Sequence, residues 1–261
     1  LPGNILTAPD PEGRSSITHY DELPRVTYQY SPPKTYGSLG VKRSHRYYVY
    51  DDNSNLIEVH SNHIKLTNLD SEPYWTETDV LETKHIYDNL DRRIATITYG
   101  DVTSVSVTGF DSNGNTLFVV NGAVNTPATG EDTGANGYAY YMGTGSTAVR
   151  YTCNSRNLVE NQITGTGSNG YTYAYDSNAN QTHVTDPDDI TVETIFDGYD
   201  RAHKAVHPDG ITVTSYRDNN GTVTRTVTEK AGTILAENEV DVNEIGLVNK
   251  SRAKSHYEGN T

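Results

Sequence analysis

The sequence predicts an all-β protein, a ribbon of antiparallel β-hairpins built from repeats of about 20–24 residues. Three observations predict this fold. A short phrase recurs along the chain: an aromatic residue, an Asp, three further residues and then Arg or Asn. Stretches before the phrase alternate polar and apolar residues, which is the period of a half-buried strand, and helical periodicity is weak. Hydrophobic residues make up only 34% of the chain, and Tyr supplies 20 aromatic positions against three Phe and one Trp.

Six clear copies of the phrase run through the sequence. Their aromatic, Asp and final residues are Tyr20, Asp21 and Arg25; Tyr50, Asp51 and Asn55; Tyr87, Asp88 and Arg92; Phe110, Asp111 and Asn115; Tyr175, Asp176 and Asn180; and Phe196, Asp197 and Arg201. Degenerate copies start at Tyr151, where Arg156 has the matching offset, at Tyr216 and at Val240. The last four starts are 21, 20 and 24 residues apart. Self-similarity at a short period is typical of a repeat architecture.

Each repeat is predicted to contain two strands and two turns. The aromatic residue ends an alternating strand, as in 171–175, and the strand resumes after the phrase, as in 116–120. The Asp accepts hydrogen bonds from backbone N–H groups two residues on and so begins a turn. Gly, Ala, Asn or Asp near the fifth position of the phrase suits a left-handed backbone. A second turn follows at 186–189 and 207–210, where Pro and Asp are turn formers.

The apolar content indicates a sheet with one Tyr-lined face and one wet face rather than a thick core, since globular domains are usually about 45–50% apolar. Tyr residues alternate along four predicted strands, namely Tyr28/Tyr30, Tyr48/Tyr50, Tyr138/Tyr140 and Tyr171/Tyr173/Tyr175. We favour a structural interpretation, in which Tyr rings on one face form cross-strand pairs that stabilise the sheet. Stacking of a sugar on exposed rings is the functional alternative. The best helical candidate, 237–244, is interpreted as strand.

We divide the chain into an N-terminal arm at 1–19, a repeat domain at 20–248 and a C-terminal tail at 249–261. The repeats are irregular between 20 and 150 and regular from 151 onward. The Gly-rich stretch 122–145 is expected to hide a degenerate repeat near Tyr138–Tyr141. The chain begins Leu1-Pro2 rather than with Met, which we interpret as a processed or truncated product.

The net charge limits the classes of partner that are expected. The formal net charge of −14 argues against a nucleic-acid partner and against anionic membranes. No apolar run approaches the ~20 residues that a membrane-spanning helix needs. The single cysteine, Cys153, excludes an internal disulfide.

The phrase, followed by a Pro-Asp-Gly turn, resembles the YD-repeat or RHS (rearrangement hot spot) family. The best matches are 110–115, 175–189 and 196–210, and the resemblance covers most of 20–248. It implies a hairpin ribbon curled as part of a shell or tube. In bacterial toxin systems such a shell encloses a toxic domain, and in teneurins a related shell belongs to an adhesion receptor. The chain departs from the family in having only about nine repeats and no autoprotease core in 240–261, so neither enclosure nor self-cleavage follows.

Two phrases also look like the start of a Ca²⁺-binding loop, because Asp111 and Asp176 each open a run with oxygen ligands at alternate positions. A full loop needs a bidentate Glu at its twelfth position, which is Gly122 in one copy and Pro187 in the other. We therefore favour ordinary turns, with adventitious Ca²⁺ as the alternative and no cofactor as the expectation.

No metal site is predicted from the histidines of the first repeats. His60 and His63 are three residues apart, which places them on opposite faces of a strand, and His85 lies further along. Zinc needs three or four converging ligands.

His183, His203 and His207 lie in consecutive repeats near Arg201 and several Tyr. Such a cluster can abstract a proton next to a sugar carboxylate, with Arg neutralising the acid. The favoured interpretation is a polar β surface, so no catalytic residue is assigned.

The sequence therefore favours a non-catalytic extracellular or cell-surface scaffold that assembles head to tail into filaments or tubes, because open strand ends promote pairing with another chain. We expect the chain itself as partner, and carbohydrate as a further one. One alternative is a fragment of a larger RHS-type shell that encloses a toxin or mediates adhesion. The other is a carbohydrate-active enzyme resembling a polysaccharide lyase.

Overall fold

The computed structural model describes residues 5–9, 11, 13–35, 40–67, 74–243 and 247–255. Nearly all of its regular structure is β-strand. The strands are β1 Ile5–Pro9, β2 Ser15–Tyr20, β3 Val26–Tyr30, β4 Lys34–Thr35, β5 Val41–Lys42, β6 His45–Tyr50, β7 Leu56–Thr67, β8 Tyr74–Tyr87, β9 Arg93–Thr98, β10 Ser104–Phe110, β11 Thr116–Asn121, β12 Thr147–Cys153, β13 Val159–Thr164, β14 Tyr171–Tyr175, β15 Gln181–Thr185, β16 Thr191–Phe196, β17 Ala202–Val206, β18 Ile211–Arg217, β19 Val223–Lys230, β20 Thr233–Val242 and β21 Val248–Ser255. One helix, α1 Thr133–Tyr141, follows β11.

The chain forms two compact units, Leu1–Ala148 and Val149–Thr261. In the first unit, β1, β2, β3 and β6 to β11 pair antiparallel, each with the next in chain order. The short strands β4 and β5 form a separate hairpin. In the second unit, β12 to β21 pair in the same consecutive way. The predicted all-β ribbon of antiparallel hairpins is confirmed.

The strand register shifts beside the aromatic residue of each repeat. In the β14–β15 pair, Ala174 lies opposite His183 but Tyr175 lies opposite Gln181. This bulge leaves one residue unpaired on the second strand, and bulges of this kind bend a strand and increase its twist. Every hairpin that carries the phrase therefore enters its turn with the same local distortion.

The hydrophobic core of the first unit is small. Its buried side chains come from β8 to β12 and from α1, and they are Ile86, Ile94, Ala95, Ile97, Val107, Phe118, Val120, Tyr141 and Ala148. Gly109 lets the Phe118 ring pack directly on the β10 backbone, because a Cβ atom there would lie 2.2 Å from that ring.

The expected degenerate repeat at Tyr138–Tyr141 is wrong, because these residues belong to α1. Asp132 caps the helix by accepting a hydrogen bond from the Gly134 N–H at 3.1 Å. Gly137, at φ +67°, interrupts the helix. Tyr141 is fully buried against Phe118, with ring centroids 5.9 Å apart. Burial of this one side chain holds a segment whose own helical propensity is weak.

The second unit has little core. Among its described residues only Val227 and Thr214 are buried. The strand interpretation of Glu237 is confirmed by β20, while Glu244 lies outside the described residues. Stability in this unit must come mainly from the strand ladder, the cross-strand side-chain pairs and the turns.

The N-terminal segment does not lack a partner. Within the N-terminal arm at 1–19, Ile5–Pro9 pairs with β2, and β2 pairs in turn with β3. Ser15–Tyr20 is therefore an inner strand, and among the described strands β1 pairs with β2 alone.

Candidate functional site: stacked turns along one edge

Each phrase forms a five-residue turn that is closed by the carboxylate of its first residue; we call it the YD turn. In the copy that begins at Asp88, Oδ1 accepts hydrogen bonds from the Leu90 and Arg92 N–H groups at 2.9 and 3.0 Å. Oδ2 accepts from Arg92 Nε at 2.6 Å. The Asp88 N–H donates to the Arg92 carbonyl, and the Asp91 N–H donates to the Asp88 carbonyl. One carboxylate thus satisfies two backbone donors and fixes the side chain of the fifth residue.

The same turn recurs along the chain. The N–H of the first residue donates to the carbonyl of the fifth residue in eleven described turns, two of which begin at Asp186 and His207 at the other end of the strands. The nine that follow the aromatic position of a repeat, the YD turns, begin at Asp21, Asp51, Asp88, Asp111, Asn154, Asp176, Asp197, Asp218 and Asn243. In six of them Oδ2 also holds the side chain of the fifth residue, namely Arg25, Asn55, Arg92, Asn115, Asn180 and Arg201. Because consecutive strands alternate in direction, all YD turns of a unit lie at the same ends of its strands. We call this side of the sheet one edge and the side with the other connections the opposite edge.

The fourth position of the turn has a left-handed backbone. It is Asp91 at φ +58°, Ala179 at φ +69° and Gly114 at φ +88° in three copies. Most copies carry Gly, Ala, Asn or Asp at this position, and the exceptions are Pro24 and Ser54, which also have positive φ. Gly adopts this conformation without penalty, and Asp and Asn tolerate it.

The fifth side chain also reaches the next turn. Arg92 donates to the carbonyl of Asp111 at 3.0 Å, and its guanidinium lies 4.7 Å from the centroid of the Phe110 ring. Arg25 makes a similar link two repeats earlier, since it donates to Ser54 Oγ at 2.9 Å and lies 4.6 Å from the Tyr50 ring. A cation over an aromatic face is attractive, so Arg25 and Arg92 each hold the aromatic residue of the next turn. Arg201 instead lies over the Tyr199 ring of its own turn, 4.9 Å from its centroid.

Where Asn replaces Arg, the link to the next turn is a hydrogen bond to an Asp. Asn180 Nδ2 and Asn178 Nδ2 both donate to Asp200 Oδ1, at 2.7 and 2.8 Å. Asn55 and Asn53 donate in the same way to Asp91. Arg- and Asn-type turns are therefore two chemical solutions to one contact between neighbouring turns.

The aromatic residue links back to the preceding turn. Tyr87 OH donates to the Leu56 carbonyl at 3.0 Å, and Tyr175 OH donates to the Val159 carbonyl at 2.8 Å. Burial raises the pKa of both phenols, which therefore stay protonated as donors. Each YD turn is thus linked to the next one by its fifth residue and to the preceding one by its aromatic residue. We call the row of linked turns in each unit the turn ladder.

The carboxylates of the ladder are held in their charged form. For Asp111 and Asp176 the hydrogen bond from the Asn at the fifth position is the main cause of a lowered pKa. For Asp197 the hydrogen bond from Arg201 lowers the pKa to about 2. Burial by itself raises the pKa of Asp88, but the hydrogen bonds from Arg92 and Leu90 outweigh it and lower the pKa.

The degenerate copies lie at shifted positions. The first turn of the second unit begins at Asn154 rather than after Tyr151, so Cys153 takes the aromatic position. The next shifted turn begins at Asp218, after Arg217. The last begins at Asn243, after Val242. In these copies the sequence marker is the Asp or Asn that closes the turn, and the aromatic residue is dispensable.

Arg156 has a role that the sequence did not reveal. It is the third residue of its turn, and it donates to the carbonyls of Asp176 and Ser177 at 2.8 and 3.1 Å. Because the fifth residue of this turn is Leu158, the link to the next turn comes from the third position instead. The position of Arg156 in the phrase does not predict that the third residue of the turn, rather than the fifth, makes this link.

The two loops with Ca²⁺-like spacing are closed YD turns. Asp111 accepts from the N–H groups of Asn113 and Asn115 through Oδ1 and from Asn115 Nδ2 through Oδ2. Asp176 makes the matching bonds in its own turn. Both oxygens of each carboxylate are therefore engaged by N–H donors.

The candidate metal-binding histidines are engaged with other groups. His60 Nε2 bonds Glu58 at 2.9 Å, and its ring stacks on Tyr47 with centroids 4.3 Å apart. His85 Nδ1 bonds Thr96 Oγ1 at 3.2 Å, and burial lowers its pKa. The His63 side chain lies outside the described residues. Among the residues that are described, no cluster of three or more metal-ligating side chains occurs.

The His/Arg cluster of the second unit is not assembled. His203 Nδ1 lies 3.0 Å from the Ser215 carbonyl, and His183 Nδ1 lies 3.1 Å from Thr182 Oγ1. His207 begins a turn at the edge opposite the YD turns, while Arg201 is engaged with Asp197 in a YD turn. The five-residue strand β17 between them is about 17 Å long.

The alternating Tyr residues of the predicted strands lie in several environments. Tyr28 and Tyr30 stack with centroids 6.1 Å apart, and Tyr28 also lies 5.5 Å from Tyr47 across the strands. Tyr173 OH bonds Gln162 at 3.4 Å. The strand ladder predicted for Tyr138 and Tyr140 is wrong, because both residues lie on α1.

Comparisons with known proteins locate the fold. No protein-family model matches the chain, and no curated protein sequence matches it. A mutant Tc holotoxin pore of Photorhabdus luminescens aligns with a TM-score of 0.53 and 9% identity, over 95% of this chain and 16% of that chain. The crystal structure of TcdB2–TccC3 aligns with a TM-score of 0.53 and 8% identity, over 93% of this chain and 16% of that chain.

These neighbours are Tc toxin chains that contain RHS, or YD-repeat, shells. The similarity supports the repeat-type fold expected from the recurring phrase. This chain spans about a sixth of the length of those chains. Within the described part of the chain, no helix has the length and apolar composition needed to cross a membrane.

Proposed function

We propose that this chain is a non-catalytic wall segment of an RHS-type shell, in which the turn ladder keeps successive hairpins in register. The contact from each turn to the next carries the proposal. The side chains of Arg92 and Asn180 each bond both their own turn and the following one. Groups engaged on both sides are suited to structure rather than to binding a substrate.

The structural neighbours support the same proposal. They contain RHS-type shells, and the aligned region includes 95% of this chain. We extend the proposal to an extracellular or cell-surface location, and to a longer shell that encloses a second polypeptide. The toxin nature of the neighbours favours enclosure over adhesion.

The experiment is electron cryo-microscopy of the full-length product of the gene that encodes these residues. We expect a closed shell in which residues 20–248 form part of the wall, and protease resistance of any chain inside it. A full-length product that is an open ribbon or an adhesive stalk would contradict enclosure. Disordered repeats in that product would contradict the wall itself.

Head-to-tail self-assembly is a second candidate, favoured by the exposed edge at β1, where Ile5 and Leu6 are 55% and 59% exposed. The opposite end argues for weak pairing, because β21 carries Lys250, Arg252 and Lys254, and edge lysines discourage strand pairing. Light scattering of the isolated chain separates the candidates. A wall segment gives particles of 28.7 kDa, whereas the second candidate gives filaments that grow with concentration.

A further inference from the structure

A cleft of about 490 Å³ lies against β2, β3, β6 and β7 in the first unit. A row of polar residues crosses these four strands in register. Thr18 pairs with Gln29, Gln29 pairs with Arg46, and Arg46 pairs with Ser61. Residues that lie directly opposite in a sheet share one face, so the row lines one side of the cleft. With strands about 4.8 Å apart, the row is about 14 Å long.

Ser61 is the residue that points to a ligand. It borders the cleft and is only 6% exposed, and its Oγ has no hydrogen-bond partner among the described residues. A buried hydroxyl without a partner is unfavourable, and such a group in a native structure calls for an explanation. A ligand hydroxyl that enters the cleft would supply the missing bond.

The other members of the row offer donors and acceptors without a net charge. Arg46 Nε lies 2.9 Å from Glu82 Oε2, so this guanidinium is already neutralised. Gln29 Oε1 accepts from Tyr48 OH at 2.5 Å, which leaves the amide N–H groups of Gln29 as donors. An anionic ligand is disfavoured, because Glu82 borders the cleft and the whole chain carries a net charge of −14.

We propose that this cleft binds a neutral disaccharide unit of a glycan, laid across the row from Thr18 to Ser61. Saccharide hydroxyls both donate and accept, and this matches a lining of hydroxyl, amide and paired charged groups. The volume lies within the usual range of ligand sites, about 300–1,000 Å³, but the polar row differs from the mostly apolar lining of typical small-molecule pockets. The proposal does not depend on the role of the chain as a shell wall.

The experiment is an amide NMR titration of the isotopically labelled chain with four disaccharides: maltose, lactose, cellobiose and N,N′-diacetylchitobiose. Inorganic phosphate and trialanine serve as an anionic and a peptidic probe. We expect saturable shifts at Ser61, Arg46 and Gln29 with at least one disaccharide and none with phosphate or trialanine. Absence of saturation with all four disaccharides, or a preference for phosphate or trialanine, would overturn the proposal.

Two variants test the role of Ser61 and of the ion pair. Ser61→Ala removes one neutral hydrogen bond and should weaken disaccharide binding about three- to tenfold. The same variant should raise the melting temperature, because it removes a buried hydroxyl that has no partner. Arg46→Gln should weaken binding by a similar factor, with far-UV circular dichroism as the check on folding.

Matched controls lie outside the cleft. Ser104→Ala removes a hydroxyl at the start of β10, and Arg225→Gln removes a cross-strand ion pair with Glu237, whose Nε–Oε1 distance is 2.5 Å. Both controls should bind disaccharide like the parent chain. If Ser61→Ala binds as tightly as Ser104→Ala, or if its melting temperature falls, the proposed role of Ser61 is wrong.

Discussion

Replacing Asp88 by Ala should lower the free energy of unfolding of the first unit. The loss should exceed that of the corresponding Asp→Ala change in any other YD turn. Asp88 is the most buried carboxylate of the ladder, at 8% exposure. The substitution removes the acceptor for two backbone N–H groups and for Arg92 Nε. It also frees Arg92, which otherwise reaches the carbonyl of Asp111 and the ring of Phe110.

The magnitude follows from the bonds that are lost. A lost side-chain cap typically costs about 0.5–2 kcal/mol. The charge-assisted bond to Arg92 adds about 1.5–3 kcal/mol. The two effects share one carboxylate and are not additive, and the Arg92 side chain, 24% exposed, recovers some hydration. We therefore expect a loss of about 2–4 kcal/mol in the free energy of unfolding.

Urea unfolding measures this loss. Amide NMR signals from β9 to β11 report the first unit, while far-UV circular dichroism reports the whole chain. Asp88→Asn keeps an Oδ1 acceptor and should lose roughly half as much. Asp52→Ala, at an exposed turn position, should change stability by less than about 0.5 kcal/mol. If Asp88→Ala is no worse than Asp52→Ala, the turn carboxylate does not hold the hairpin.

Three further outcomes are expected. The pKa of Asp197 is lowered to about 2, and the pKa values of Asp88, Asp111 and Asp176 are lowered too, so the stabilisation from these four carboxylates is complete above the unfolded value near 3.9. It is lost as the pH falls through the folded values, so acid unfolding should occur between about pH 4 and pH 2. Tyr175→Phe removes the bond to the Val159 carbonyl and should cost about 0.5–1.5 kcal/mol in urea unfolding. Gly109→Ala drives a methyl group into the Phe118 ring and should cost about 1–3 kcal/mol.

The two substitutions each have a matched control. Tyr173→Phe removes only a longer bond to Gln162, at 3.4 Å, and should cost less than Tyr175→Phe. Gly198→Ala places its Cβ in open space and should be close to neutral. A midpoint of acid unfolding above pH 5 would show that groups other than the YD carboxylates dominate. Equal effects within either matched pair would contradict the corresponding contact.

The fold and the clear turns could be predicted because their determinants are local. An Asp that closes a turn, a left-handed fourth residue and an alternating strand each depend on a few neighbouring residues. The degenerate turns were misplaced because we aligned them on Tyr151, Tyr216 and Val240, whereas the hydrogen bonds begin at Asn154, Asp218 and Asn243.

The helix and the cleft could not be predicted from local sequence. The helix α1 contains Gly134 and Gly137 and depends on burial of Tyr141, a tertiary contact. Its one local signal is Asp132 at the N-cap. The polar row from Thr18 to Ser61 requires the register of four strands. That register depends on loops whose length is not encoded by the phrase.

The turn ladder also explains why the repeat spacing is regular in one unit and irregular in the other. Successive YD turns are separated by two strand spacings, about 10 Å, so a fixed five-residue turn lets one side chain reach the next turn. The connections at the opposite ends of the strands are not part of the turn ladder, although Arg43 joins the Ser15 and Ser31 carbonyls there. Extra residues in those connections leave the ladder intact. In the first unit the segment between β3 and β6 and the long β7–β8 hairpin are inserted at that opposite edge. The segment that contains α1 is inserted there too, and its Gly130 then reaches back to bond Tyr87 and Asn89 beside the YD turns. Length variation is therefore confined to the edge where it breaks no contact between turns.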